Sequence, residues 1–211
     1  MGNRLLFCFC RRRGGRKQGG RMPIETLVFD VGRTLIPFSF DPVEAELLAC
    51  RDEAFALAAA LEKGRIEAVT FQSAMCRLTG VASDAFAPWW NSILQLELLI
   101  PEEWIDALMG RYRVGVLSNT NSIHFEHLRQ QVPLLCRFEF YSLSYEVGAA
   151  KPEPDVYEDV ERKAGCAPER ILYFDDVPEF VEVARARGWQ AEVFRGAASL
   201  SGTLACHGIV L

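Results

Sequence analysis

Short apolar runs alternate with helical stretches over the second half of the chain, and this alternation limits the fold more than any other feature. The runs are RVGVLSN, FEFYSLS, ILYFDD and AEVF, and the helical stretches between them lie near residues 122–131, 154–164 and 178–187. Strands that are apolar throughout and joined by helices indicate a parallel sheet covered on both faces. An earlier apolar run, TLVF, is expected to join the same sheet. The sequence therefore predicts an α/β fold with a doubly wound, Rossmann-like parallel sheet.

The segment between TLVF and the rest of the sheet is predicted to be helical throughout. Its first part is rich in Ala, Leu and Glu and has no internal helix breaker, and Pro101 suits the first turn of a helix. The helices are expected over residues 43–62, 68–79, 84–98 and 101–109. These helices predict three parts of the chain: a basic head over residues 1–22, a core over 23–38 and 111–211, and a small helical cap over 39–110.

The acidic balance of the chain argues against a nucleic-acid-binding protein. Seven of the 23 basic residues lie in residues 1–22, which hold no acidic residue, so 16 basic side chains face 28 acidic ones in the remainder. Binding to nucleic acid depends on clustered Lys and Arg that contact the phosphates. We therefore expect no nucleic-acid partner, whereas a small anionic substrate needs only local positive charge.

The apolar segments and the cysteines both favour a cytoplasmic protein. No apolar run approaches the roughly 20 residues that cross a bilayer, so no membrane span is expected. The seven cysteines are odd in number, scattered and free of C-x-x-C spacing, which favours free thiols in a reducing cytosol. The head is expected to be disordered. It is either a tail that contacts a membrane surface or a segment upstream of Met22 as the working initiator, and both interpretations stay open.

Polar side chains follow the predicted strands at the points where the strands end. Asp30 follows TLVF, Ser118 and Asn119 end RVGVLSN, and Lys151 lies in the loop GAAKPEP. Ligands of open parallel sheets bind beyond the carboxyl ends of the strands. A carboxylate there can attack phosphorus, and hydroxyl and amide groups can donate to a phosphoryl oxygen. Each residue alone also fits a structural role, as a turn residue, a helix cap or a surface lysine.

Two adjacent carboxylates, Asp175 and Asp176, follow the apolar run ILYF. Neighbouring carboxylates repel each other and are hard to desolvate unless a cation joins them. Hard oxygen ligands of this kind suit Mg2+. The pair is the strongest single indication of function in the sequence, and it predicts a magnesium site.

The motifs FDVGRTL, VLSNTN, GAAKPEPDVY and LYFDDVPE together resemble the four signatures of the haloacid dehalogenase superfamily. The resemblance extends from about residue 24 to residue 196 and is closest to the subgroup similar to α-glucose-1-phosphate phosphatases, which has a small helical cap. It implies a Mg2+-dependent phosphatase that acts on a small phosphorylated metabolite, with a sugar phosphate favoured, through an aspartyl-phosphate intermediate.

The resemblance also implies a role for each matching residue. Asp30 is then the nucleophile, and Lys151 balances its charge and that of the phosphate. Ser118 and Asn119 then bind the phosphoryl group. The implied metal site consists of Asp30, the carbonyl of Gly32, Asp175 and Asp176, with Thr34 and Glu179 in support.

One position departs from the superfamily pattern, because Gly32 stands where most of these phosphatases have an acid/base Asp. Two alternatives therefore stay open. A metal-independent 2-haloacid dehalogenase is disfavoured by the Asp175–Asp176 pair, and a catalytically weak binding or regulatory protein is disfavoured by the intact Lys151. Outside the motifs, His124 and His127 are expected to be surface residues, and the aromatic residues of 86–91 are expected to pack inside the cap.

Overall fold

A five-stranded parallel sheet forms the centre of the computed structural model, which describes residues 22–211. The predictions for the basic head fall outside these residues, except at Met22. The strands are β1 (Thr26–Phe29), β2 (Arg113–Ser118), β3 (Phe140–Leu143), β4 (Ile171–Asp175) and β5 (Gln190–Val193). They lie in the order β3-β2-β1-β4-β5, and every neighbouring pair is parallel. The predicted α/β fold with a doubly wound sheet is confirmed.

The register of the three central strands brings their carboxyl ends to one edge. Phe29 of β1 is aligned with Val116 of β2 and with Phe174 of β4. Asp30 directly follows Phe29 and Asp175 directly follows Phe174, so both residues lie at this edge of the sheet. Strand pairing therefore brings together the motifs at the ends of β1, β2 and β4.

Helices flank the sheet and form the insert between β1 and β2. Those of the insert are α1 (Glu44–Leu47), α2 (Arg51–Glu62), α3 (Ala68–Thr79), α4 (Phe86–Asn91) and α5 (Glu102–Met109). Those that follow are α6 (Ser122–Gln131), α7 (Ser144–Val147), α8 (Pro154–Ala164), α9 (Pro178–Ala186) and α10 (Ala197–Cys206). Within residues 22–211, no helix combines the length and apolarity that a bilayer-spanning segment requires.

Two of the helices predicted in the insert differ from those observed. The helix predicted over residues 43–62 is broken by a turn at residues 48–50, which separates α1 from α2. The helix predicted over 84–98 ends at Asn91. The backbone beyond it is engaged elsewhere, because Ser39 donates to the Ile93 carbonyl at 2.9 Å and Gln95 donates to the Pro37 carbonyl at 2.9 Å. These tertiary hydrogen bonds replace the bonds that a longer helix would make.

The insert and the sheet have separate apolar clusters. One cluster joins α2, α3 and α4 through buried side chains such as Leu61, Phe71 and Trp90. The sheet packs on two others, one on each face, because Leu27 and Val28 of β1 belong to different clusters. Ile105 and Leu108 of α5 pack in a sheet cluster and not in that of the insert. The division into core and cap remains a proposal, and these contacts place α5 with the core.

Candidate active site

A buried lysine joins the carboxylates that follow β1 and β4. Lys151 Nζ lies 2.7 Å from Asp30 Oδ1 and 2.6 Å from Asp175 Oδ2. Asp30, Lys151 and Asp175 are 6%, 4% and 0% exposed. The ammonium also contacts the Leu117 carbonyl at 3.3 Å and the Tyr173 hydroxyl at 3.2 Å. The ammonium of Lys151 therefore contacts four oxygen atoms, one of which belongs to Asp30, the predicted nucleophile.

The protonation of this cluster reflects burial opposed by charge pairing. Burial raises the pKa of Asp30 to about 7, although Lys151 acts in the opposite direction. Burial lowers the pKa of Lys151, but the neighbouring carboxylates overcome this and raise it above its ordinary value. The pKa of Asp176 is also raised, first by burial and then by the negative charge of Asp175. Three carboxylates beside one ammonium make a site that attracts a further cation.

The carboxylates of Asp30, Asp175 and Asp176 each offer an oxygen within 4.8 Å of the others. This set of hard oxygen donors fits Mg2+. Asp175 is the least available of the three, because its Oδ2 faces Lys151 and the Tyr173 hydroxyl while its Oδ1 accepts from the Val177 amide at 2.8 Å. Asp30 and Asp176 are the carboxylates best placed to hold a metal.

The end of β2 and the loop after it supply the predicted phosphate-binding residues, which differ in whether the side chain already forms hydrogen bonds within the protein. Ser118 is 2% exposed and lines the cavity above Asp30. The Asn119 side chain is engaged, because it donates to the Lys151 carbonyl at 3.0 Å and accepts from the Lys151 amide at 2.7 Å. Asn119 also lines the cavity, but its side-chain amide holds the loop that carries Lys151. Asn121 caps α6 by accepting from the amide of His124 at 3.0 Å.

The remaining predicted residues lie in contrasting surroundings. Thr34 is fully buried, and its hydroxyl has no hydrogen-bond partner among residues 22–211. Glu179 is exposed in the first turn of α9 and does not line the cavity. A Cβ at Gly32 would lie 3.0 Å from the ring of Phe38, so the ring takes up space that a side chain at Gly32 would need. The structure brings Asp30, Ser118, Lys151 and the Asp pair together around the cavity, whose lining does not include Glu179.

A cavity of about 390 Å³ lies above this cluster and reaches the insert. The cavity is also lined by two polar side chains that the sequence did not indicate as site residues. They are Glu62 at the end of α2 and His124 in the first turn of α6. The prediction that His124 is a surface residue is wrong, because it is 7% exposed and its ring stacks on Trp90 of α4 at 5.2 Å. Its Nδ1 lies 2.9 Å from Asn91 Oδ1. Its position three residues after the cap residue Asn121 was the available signal, since the first turn of α6 starts at the sheet edge.

Known relatives include phosphatases. A phosphatase of Mycobacterium tuberculosis is 34% identical over 80 residues, a match that covers 37% of this chain and 37% of that protein. The D-ribitol-5-phosphate phosphatase of Bacteroides thetaiotaomicron is 22% identical over 186 residues, which cover 79% of this chain and 90% of that protein. The first match is therefore partial, whereas the second spans most of both chains.

Solved structures and a family model extend the comparison to most of the chain. A HAD family enzyme of Bacteroides thetaiotaomicron, solved in complex with magnesium and inorganic phosphate, superposes with a TM-score of 0.71 at 27% identity, over 82% of this chain and 94% of the other. The model of the haloacid dehalogenase-like hydrolases matches residues 24–188, which contain all four motifs. The resemblance to this superfamily is thus confirmed, and the chain belongs to the haloacid dehalogenase-like hydrolases.

Proposed function

We propose that this hydrolase is a Mg2+-dependent phosphatase that cleaves a small phosphorylated metabolite through an aspartyl-phosphate on Asp30. The observation that carries the proposal is the buried contact of Lys151 with Asp30 and Asp175 at the carboxyl edge of the sheet, with Asp176 beside them. The magnesium and phosphate of the Bacteroides enzyme and the phosphatase names of two relatives support it.

The reaction takes place in two displacements at phosphorus. An Asp30 carboxylate oxygen forms a bond to phosphorus while the bond from phosphorus to the substrate oxygen breaks, and the alcohol leaves with a proton taken from water. Water then attacks the acyl phosphate, which restores Asp30 and releases inorganic phosphate. Lys151 holds Asp30 in place and offsets the charge of the phosphoryl group, and the Ser118 hydroxyl donates to a phosphoryl oxygen.

The metal site belongs to residues that the motifs supply. Asp30, Asp176 and the carbonyl of Gly32 would hold Mg2+, with Asp175 acting mainly on Lys151. Bound there, Mg2+ neutralises charge that develops on the phosphoryl oxygens. Thr34 and Glu179 remain proposed supporting residues: Thr34 is fully buried, and Glu179 is exposed and does not line the cavity.

Gly32 leaves the departing alcohol without the usual protein acid. Loss of a general acid/base costs about 100-fold to 10,000-fold in rate unless water or a good leaving group compensates. Sugar and polyol phosphates are the first substrates to test, because one relative is named a D-ribitol-5-phosphate phosphatase. The dehalogenase alternative has only fold-level support, from an L-2-haloacid dehalogenase at 18% identity with a TM-score of 0.58.

The decisive experiment is hydrolysis of p-nitrophenyl phosphate with Mg2+ or with EDTA. We expect metal-dependent release from the unmodified protein and none from Asp30→Asn, which removes the nucleophile at nearly constant size. Asp41→Asn is the matched control, because Asp41 is an exposed carboxylate of the insert. Release that survives in Asp30→Asn excludes the covalent mechanism, and release unaffected by EDTA excludes the metal. Absence of any release from a folded protein favours the binding or regulatory alternative.

A further inference from the structure

The two ends of the cavity differ in chemistry. Its phosphate end consists of the charged and polar residues that follow the strands, namely Asp30, Arg33, Ser118, Lys151 and Asp176. Its apolar wall, contributed by the segment after β1 and by the insert, consists of Phe38, Phe40, Phe55, Ala58, Trp90 and Ile93. A phosphate ester bound with its phosphorus at Asp30 therefore has its alcohol part against the apolar wall.

Three phenylalanines make the apolar wall continuous. Phe38 packs edge-on against Phe40 at 5.9 Å, and Phe40 packs edge-on against Phe55 at 5.2 Å. The row begins beside Gly32 and ends on α2. Phe55 remains 36% exposed, so apolar surface on this wall is open to a ligand. Covering such surface is favourable, at about fourfold in affinity for each methylene buried.

The wall also disfavours charge. Burial raises the pKa of Glu62 and lowers the pKa of His124 to about 3, and both shifts favour the neutral forms. Arg33 belongs to the phosphate end: it is exposed, its positive charge acts on Asp176, and its guanidinium lies 4.5 Å from the centre of the Phe38 ring, where the wall begins. A second anionic group in the alcohol part would meet the same desolvation that raises the pKa of Glu62.

We propose that the substrate is a phosphate monoester whose alcohol part is uncharged and predominantly apolar, either aryl or alkyl. The inference rests on the proposed phosphatase function and narrows its substrate class. A polyol would bring several hydroxyl groups to a wall that offers few hydrogen-bond partners, and buried hydroxyl groups without partners are costly. Glu62 and His124 suffice for one or two polar atoms.

The crowding at Gly32 agrees with this substrate class. Phe38 fills the space beside Gly32, so the wall presents a ring close to where most of these phosphatases have an acid/base Asp. A phenol is a far better leaving group than a sugar hydroxyl and departs without a proton donor. An aryl phosphate therefore gains binding from the ring row and loses little from the missing acid.

The test is a series of ethyl, butyl and hexyl phosphate, compared with glycerol 3-phosphate and ribitol 5-phosphate. The leaving-group pKa hardly changes along the alkyl series, so differences in kcat/KM report burial. We expect kcat/KM to rise about fourfold for each methylene and hexyl phosphate to exceed both polyol phosphates. Phe55→Ser should flatten the series. Val69→Ser is the matched control, because Val69 is an exposed apolar residue of α3 that does not line the cavity.

Each failure has its own signature. A flat series, with the polyol phosphates preferred, overturns the apolar substrate but leaves the phosphatase intact. Absence of turnover with every ester, p-nitrophenyl phosphate included, overturns the proposed function. In that case the affinity of n-alkyl phosphonates, measured by calorimetry, still decides the inference, since a dissociation constant that does not change with chain length contradicts an apolar wall that binds the ligand.

Discussion

Replacing Lys151 by Met tests whether the buried lysine holds the active-site carboxylates together. Met is similar in length but lacks the charge that contacts Asp30 at 2.7 Å and Asp175 at 2.6 Å. Removing one partner of a buried ion pair costs about 3–5 kcal/mol, because the other partner is left buried and uncompensated. Since two carboxylates lose the same cation, we expect a loss of unfolding free energy of at least about 3 kcal/mol.

The measurement is urea unfolding followed by tryptophan fluorescence at pH 7.5 in EDTA. Lys63→Met is the matched control, since Lys63 pairs with Glu153 at 3.0 Å but the two side chains are 27% and 41% exposed. An ion pair of that kind contributes about 0–1 kcal/mol. The two variants remove the same functional group, so the difference between them reports the burial of Lys151 together with its second carboxylate partner.

The pH dependence gives a second, independent readout. Burial already raises the pKa of Asp30 to about 7, and without Lys151 its pKa should rise further. A carboxyl with a raised pKa binds its proton more tightly in the folded state, so folding is favoured as the pH falls. The unfolding free energy that Lys151→Met loses relative to the unmodified protein should therefore be smaller at pH 5 than at pH 7.5. A loss below about 1 kcal/mol, or a deficit that stays constant over this range, would refute the reasoning.

Two further predictions concern stability. Burial lowers the pKa of His124 to about 3, so the stability that its neutral form contributes is complete above pH 6.5 and is lost as the pH falls. Because the raised pKa of Asp30 acts in the opposite direction, the measured quantity is the difference in unfolding free energy between the unmodified protein and His124→Gln in urea. This difference should fall by about 1 kcal/mol between pH 7.5 and pH 5.5, whereas the difference between the unmodified protein and His127→Gln should stay constant. Gly115→Ala should cost about 1–3 kcal/mol, because its Cβ would overlap the Phe140 ring. By contrast, Gly202→Ala in α10 should stabilise by about 0.5–1 kcal/mol in thermal unfolding, and the same sign for both substitutions would contradict this account.

Local sequence signals were enough to predict the strands of the sheet and the bounds of several helices. The strands β1, β2 and β4 are apolar runs that end in or lead directly into polar residues, and this pattern needs no knowledge of tertiary contacts. The predicted bounds of α3, α6 and α8 agree with the structure because the signals lie at their ends, with Gly80 after α3, Asn121 before α6 and Pro154 opening α8. The pairing of β1 with β4 then brings Asp30 and Asp175 to the same edge, and the loop after α7 adds Lys151.

What the sequence did not indicate depends on contacts between distant segments. The helix predicted over residues 84–98 stops at Asn91 because Ile93 and Gln95 form hydrogen bonds with residues 37–39. His124 looks like a surface residue until α4 covers it with Trp90. The occupied side chain of Asn119 likewise follows from how the loop of Lys151 folds back on it. In each case the missing information is which surfaces touch.

Two side-chain contacts, at separate points, join the insert to the elements around the sheet. They bear on how fast the enzyme can turn over. At one point Lys63 binds Glu153, and at the other Asn91 binds His124. A swing of the insert that widens the cavity at either point would break the contact there. Release of the alcohol product can be the slow step in such an enzyme. Where product release is slow, weakening either contact would raise turnover without changing the chemistry proposed at Asp30. The time that the product stays bound would then depend on the strength of these two contacts.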